Sequence, residues 1–156
     1  MAIDLLNESG VEVDEAQLVR LIAHGLDQLF VHPDAEVSVM LVDVAAMEQL
    51  HVQWMDEPGP TDVLSFPMDE LRPGAEGRLA PPGLLGDIVL CPEVAQQQAA
   101  EARHSLMAEL RLLTMHGLLH LLGFDHADQA ERDEMFALQD DLLRRFEQAT
   151  PPGAAR

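Results

Sequence analysis

The apolar residues of this chain recur first at one period, then at another. Leu18, Leu21, Ile22, Leu26, Leu29 and Phe30 are spaced three and four apart, the signature of a helix face. Asp14 stands where an N-cap belongs, and Pro33 ends the run because its ring cannot continue a helix. Residues 36 to 43, EVSVMLVD, change to a β-branched and apolar run and read as a strand, as does a shorter stretch from Ile3 to Leu6. Asp43 caps a short helix reaching Trp54, and DEPGP has too much proline to be anything but a loop. TDVLSFP, ending at Pro67, and LLGDIVL, residues 84 to 90, supply two more strands. Pro92 then opens a helix to about Arg103. A second helix starts near Ser105, with Glu109 four positions on, carries Leu106, Leu110, Leu113 and Leu121 coreward and ends at Gly123. A last one, roughly 129 to 148, repeats Met135, Leu138, Leu142 and Phe146. Strands alternating with helices, then helices alone, predict an α/β or α+β single domain over residues 1–150: a small mixed four-stranded sheet packed with about five helices. Residues 68 to 83 read as a surface loop, and 151–156 as a flexible tail.

Composition narrows the class. A chain of 156 residues, 47% hydrophobic and 24% charged, buries enough surface to fold without disulfide or metal, so a metal site on it needs a functional reason. Cys91 is the only cysteine, which excludes an internal disulfide. The start, MAIDLLNESG, has no secretory pattern, and no apolar run is long enough to span a bilayer. The expectation is a cytoplasmic protein with no membrane partner. The net charge is −19, from 28 acidic residues against 9 basic ones, all of them arginine. That field repels phosphate backbones and argues against DNA. An RNA partner needs a local arginine patch, from Arg72 and Arg78, Arg103 and Arg111, or Arg144 and Arg145; the alternative for each is a surface ion pair.

The run HGLLHLLGFDH carries the chemistry. His116 and His120, four apart on a helix, project from one face about 6 Å along the axis. Both imidazoles can therefore reach one cation at about 2.0 to 2.1 Å. Gly123 can take the left-handed conformation that ends a helix and turn the chain so that His126 returns as a third ligand. Three neutral nitrogens leave an ion such as zinc one open position for water, a hydrolytic arrangement. His24, His32, His51 and His104 read as satisfied core or surface residues. The spacing equals that of the metzincin protease motif HExxHxxGxxH, but Gly117 occupies the position of the protease's general-base glutamate. Peptide hydrolysis by that route is disfavoured.

With these residues in view, the chain resembles the YbeY family of rRNA maturation endoribonucleases, whose signature HGxLHLxGxDH matches His116 through His126. PTDVLSFP, from Pro60 to Pro67, and GDIVL, from Gly86 to Leu90, resemble the family's other blocks and stand in its order. The resemblance implies a single α/β domain with one zinc ion on His116, His120 and His126. It implies single-strand-specific RNA cleavage in 16S rRNA 3′-end maturation and ribosome quality control, with rRNA and the small subunit or its factors as partners. Family members often carry an aromatic and an arginine before PTDVLSFP; here those positions are Trp54 and Met55, so either the basic contact comes from elsewhere or RNA cleavage is weaker than the resemblance implies.

Several carboxylates compete for supporting roles. Asp62 and Ser65 either satisfy turn groups or face the cleft. Asp87 either caps locally or accepts the proton on a histidine's second nitrogen, and Asp125 competes for that role. The general base is unassigned. Two other functions stay open: an assembly factor on the ribosome whose metal orders a binding surface, and a metalloprotease, which Gly117 disfavours.

Overall fold

The computed structural model describes residues 2–55, 59, 61–125 and 127–149. The expected tail from residue 151, His126 and Pro60 lie outside them. Four strands and five helices follow in the order β1 (Ala2–Asn7), α1 (Glu15–Gln28), β2 (Glu36–Leu41), α2 (Val44–Met55), β3 (Val63–Pro67), β4 (Leu84–Leu90), α3 (Pro92–Ala102), α4 (Leu106–Leu121) and α5 (Gln129–Ala149). The sheet runs β1-β2-β4-β3. β1, β2 and β4 are parallel, and β3 returns antiparallel along β4 as an edge strand. This is the mixed α+β domain that the patterning predicts.

Side-chain alternation divides the sheet into two faces. Val37, Val39, Leu41, Ile88 and Leu90 face one core, shared with α1, α4 and α5. Leu64, Val89 and Cys91 face a smaller one under Met47 of α2. α2 leaves much of that second face open, with Leu6 and Met40 exposed. α4 packs against β3, β4, α1, α3 and α5. That enclosure explains why its sequence, LMAELRLLTMHGLLHL, is apolar almost all round.

Caps set the helix limits. Asp14 accepts the Gln17 amide at 3.1 Å, Asp43 that of Ala46 at 2.8 Å, and Ser105 that of Ala108 at 3.0 Å. α1 stops at Gln28, although apolar periodicity runs on to Phe30. Phe30 takes a left-handed φ of 57°, and the Phe30 and Val31 amides bond back to the carbonyls of Asp27 and Leu26 at 3.1 and 2.9 Å. This is a Schellman ending without glycine, held because Leu29 and Val31 are both buried beside it. Residues 68–83 are not simply a surface loop. Leu71 packs on the main core, Ala80 is buried, and Val31 bridges to Ala80.

Two buried groups have chemical consequences. Burial raises the Cys91 thiol above its ordinary value, so the lone cysteine stays protonated and unreactive. His24, on α1, meets Phe146 of α5 edge-on at 5.6 Å, and its Nε2 is buried with no hydrogen-bond partner among the described residues. Burial lowers its pKa below 6.5, against the opposing pull of Asp27. The unfolded chain therefore binds this proton more readily than the folded one. His24 costs nothing well above pH 6.5; stability falls as pH drops below that value and levels off once the folded-state imidazole also titrates. Urea unfolding of metal-free protein is expected to show a smaller loss between pH 7.5 and 5.5 for His24→Met than for the parent. Equal losses would refute this account.

Candidate metal centre and adjoining groove

α4 ends by the device its sequence predicts. Gly123 takes φ +94°, and the Gly123 and Phe124 amides bond to the carbonyls of His120 and Leu119 at 3.1 and 3.0 Å. One turn earlier, His116 and His120 stand edge to face with ring centroids 4.6 Å apart, and their Nε2 atoms are separated by 3.1 Å. Two nitrogens each bonded to a tetrahedral zinc would stand about 3.3 Å apart. The spacing of the pair is therefore close to what such an ion requires. His126, the third expected ligand, lies outside the described residues, and among those described no group of three metal-binding side chains forms.

The state of His116 is set from outside its own helix. Its Nδ1 lies 2.8 Å from Oε1 of Gln139, which is 3% exposed on α5. An amide oxygen only accepts, so Nδ1 carries the proton and Nε2 presents its lone pair toward His120. Phe136 of α5 stacks on the same imidazole, 5.8 Å away at 17°. Gln139 is not among the site residues that the sequence predicts. The available signal was a polar residue inside the buried stripe Met135, Gln139, Leu142, Phe146.

The histidines open into a groove of about 370 Å³ lined by Asp62, Ser65 and Pro67 of the β3 region. Asp62 also borders a neighbouring pocket of about 280 Å³ with His116, Phe136 and Gln139. Oδ1 of Asp62 accepts the Val63 amide at 2.7 Å and the Thr61 hydroxyl at 3.4 Å; the capping reading and the cleft reading therefore both hold for this residue. Ser65 donates its hydroxyl to the Gly117 carbonyl at 3.0 Å, tying β3 to α4. Asp125 is exposed in the turn after α4. Asp87 is not brought to the histidines. Ile88 faces α4, so its neighbour Asp87 points to the other side of the sheet, into a separate groove.

Gly117 is a packing residue. A β-carbon there would lie 3.0 Å from Cγ2 of Ile88, 3.1 Å from Oγ of Ser65 and 3.4 Å from Cγ2 of Val63. Glycine lets α4 sit against the sheet at this point.

Among the candidate arginines, Arg111 bonds Gln17 at 2.6 Å and lies 4.0 Å from Glu147, while Arg144 and Arg145 pair with Asp141. Arg72 differs. Its side chain lies against Gly123, so close that a β-carbon there would come within 2.5 Å of the guanidinium carbon. It is exposed and pairs with no carboxylate among the described residues. Arg78 and Arg103 likewise show no carboxylate partner among the described residues, so what distinguishes Arg72, which donates to the Leu71 carbonyl at 3.1 Å, is its place beside the turn that follows His120. The remaining histidines are used elsewhere: His32 accepts the Asp34 amide, His51 meets the Gly59 carbonyl, and His104 meets Glu109.

Comparison with known proteins follows the same outline. Residues 4–147 match the family model described as Endoribonuclease YbeY. A Clavibacter sepedonicus protein named Endoribonuclease YbeY is 66% identical over 146 residues, covering 94% of this chain and 95% of its own. The protein of that name from Thermobifida fusca is 62% identical over 143 residues, 92% of each chain. The solution structure of TM1509 from Thermotoga maritima superposes with a TM-score of 0.65 at 26% identity, over 97% of this chain and 98% of that one.

Proposed function

This chain belongs to the endoribonuclease YbeY family, and from that premise we propose that it cleaves single-stranded RNA with one zinc ion, in 16S rRNA 3′-end maturation and ribosome quality control. The observation that carries the reading is the His116–His120 pair, with nitrogens 3.1 Å apart and the His116 tautomer held by buried Gln139, opening into a groove bordered by Asp62. His116, His120 and His126 would hold the ion. Bound there, zinc supplies Lewis-acid polarisation of a phosphodiester and an acidified water.

The chain's own groups do the rest. Gln139 keeps the His116 proton on Nδ1, so that Nε2 remains a ligand. Asp62 keeps Oδ1 on the Val63 amide, and Oδ2, with no partner among the described residues, takes the proton of the attacking nucleophile. Ser65, spent as a donor to Gly117, fixes the groove wall. Arg72 supplies the phosphate contact that Met55 does not. On a chain of net charge −19, one well-placed arginine decides where a phosphate can rest.

The test is cleavage of single-stranded and duplex RNA by protein of measured zinc content, before and after chelation. Single-strand cleavage lost on chelation and restored by zinc is the expected result; cutting at full rate without metal would sink the reading. Maturation of 16S rRNA 3′ ends in cells lacking the protein tests the cellular role. Arg72→Ala is expected to raise KM about tenfold, the worth of one hydrogen bond to a charged group. It should also reduce the slope of log affinity against log salt by about 0.7. Arg78→Ala should change neither; equal effects of the two substitutions would remove Arg72 from the site.

A further inference from the structure

The open face of the sheet, opposite the histidines, carries a second groove of about 510 Å³. Met40, Phe66, Pro67 and Met68 line it with Trp54 of α2, and its polar groups are Ser38 and Asp87. Trp54 is 61% exposed, and Phe66 meets it edge-on, with centroids 6.1 Å apart at 71°. Single exposed apolar side chains need no explanation, but several converging in one groove do.

We propose that this groove receives an unpaired base of the RNA strand whose backbone is cut at the histidines, with Trp54 as the stacking surface; the proposal rests on the RNA-cleaving reading above. Three observations choose this occupant. Pro67 lines both grooves, and β3 is an edge strand. A strand of RNA crossing the sheet edge at Pro67 therefore presents one nucleotide to each side, with no strand beyond β3 among the described residues. Among the described residues that line the groove the only ionic group is the Asp87 carboxylate, which repels phosphate but accepts hydrogen bonds from a base, so the uncharged part of a nucleotide enters. The ring geometry suits the purpose, because Phe66 buttresses the indole through an edge contact and the indole remains open to a stacked base.

Trp54 is the only tryptophan in the chain, so its emission reports on this groove alone. The full-length His116→Ala protein would be titrated with a single-stranded oligoribonucleotide and with an abasic oligomer of equal length, with binding followed independently by anisotropy of an end label. Quenching by the base-bearing oligomer and none by the abasic one is expected. In cleavage assays of the otherwise unaltered enzyme, Trp54→Ala is expected to raise KM about tenfold, the size of one base–aromatic stack, with kcat within about twofold, and Trp54→Phe to recover most of the loss. RNA that binds and is cut while Trp54 emission and KM stay unchanged overturns the groove and leaves the RNA reading standing. Failure to bind or cut any RNA overturns both. Emission that shifts with protein concentration alone, accompanied by dimer in sedimentation, assigns the groove to a second copy of the chain and also overturns the proposal.

Discussion

His116→Ala is expected to abolish both zinc binding and RNA cleavage while leaving the chain folded. The side chain is only partly buried, and α4 keeps the core residues Leu110, Met115 and Leu118 on its other sides, so the loss falls on the site. Gln139→Leu separates the ligand from its support. It removes the acceptor of the His116 Nδ1 proton without emptying the buried position, and freeing the imidazole to rotate and exchange tautomers is expected to cost about 10- to 100-fold in metal affinity and activity together. Competition against a calibrated zinc chelator, with cleavage rates at saturating zinc, measures both. Wild-type affinity in Gln139→Leu would mean that the α5 contact merely packs.

Gly117→Glu writes the protease glutamate back into HGLLH. Its expected product is a damaged fold, not a peptidase. The contacts of 3.0 to 3.4 Å awaiting a β-carbon belong to Ile88, Val63 and Ser65, which join α4 to the sheet. Overpacking of this kind costs about 1–3 kcal/mol, and helix propensity returns at most about 1 kcal/mol on replacing glycine. Gly117→Ala is thus expected to lower stability by about 1 kcal/mol. The glutamate, which must also bury or displace a charge, should lower it by about 3 kcal/mol or more. Urea midpoints measure this, and an unshifted midpoint for Gly117→Glu would show that α4 stands off the sheet. The same contacts give a physical reason for glycine here that is independent of any catalytic argument.

Much of this architecture is legible in one-dimensional patterning because the deciding signals are local. Asp14, Asp43 and Ser105 cap where short polar side chains before apolar runs should, and i, i+4 spacing sets His116 beside His120 before any tertiary contact is known. The misreadings come where partners are remote. α1 ends two residues before its apolar period does, because the Schellman turn at Phe30 is paid in left-handed backbone strain and recovered by burying Leu29 and Val31. Asp87 reads from the sequence as one candidate support for the histidines, but in β4 both faces are covered: Ile88, Val89 and Leu90 are all buried. Such a strand shows no alternation to reveal which way its aspartate points. Gln139 lies 23 residues from His116, and only its place in a buried stripe hinted at it. Arg72 reaches Gly123 from a loop that reads as surface, and the groove beneath Trp54 arises because α2 covers only part of a sheet face, which no single segment encodes.

The bond between His116 and Gln139 also orders events in time. At about 5–20 residues per second, a ribosome needs roughly one to five seconds to synthesise the 23 residues separating them. Throughout that interval the nascent α4 has its histidines but lacks the amide that holds Nδ1 of His116. Completion of the proposed centre is therefore coupled to docking of α5, and a chain stalled between the two helices would carry His116 and His120 without the contact that orients the His116 ring.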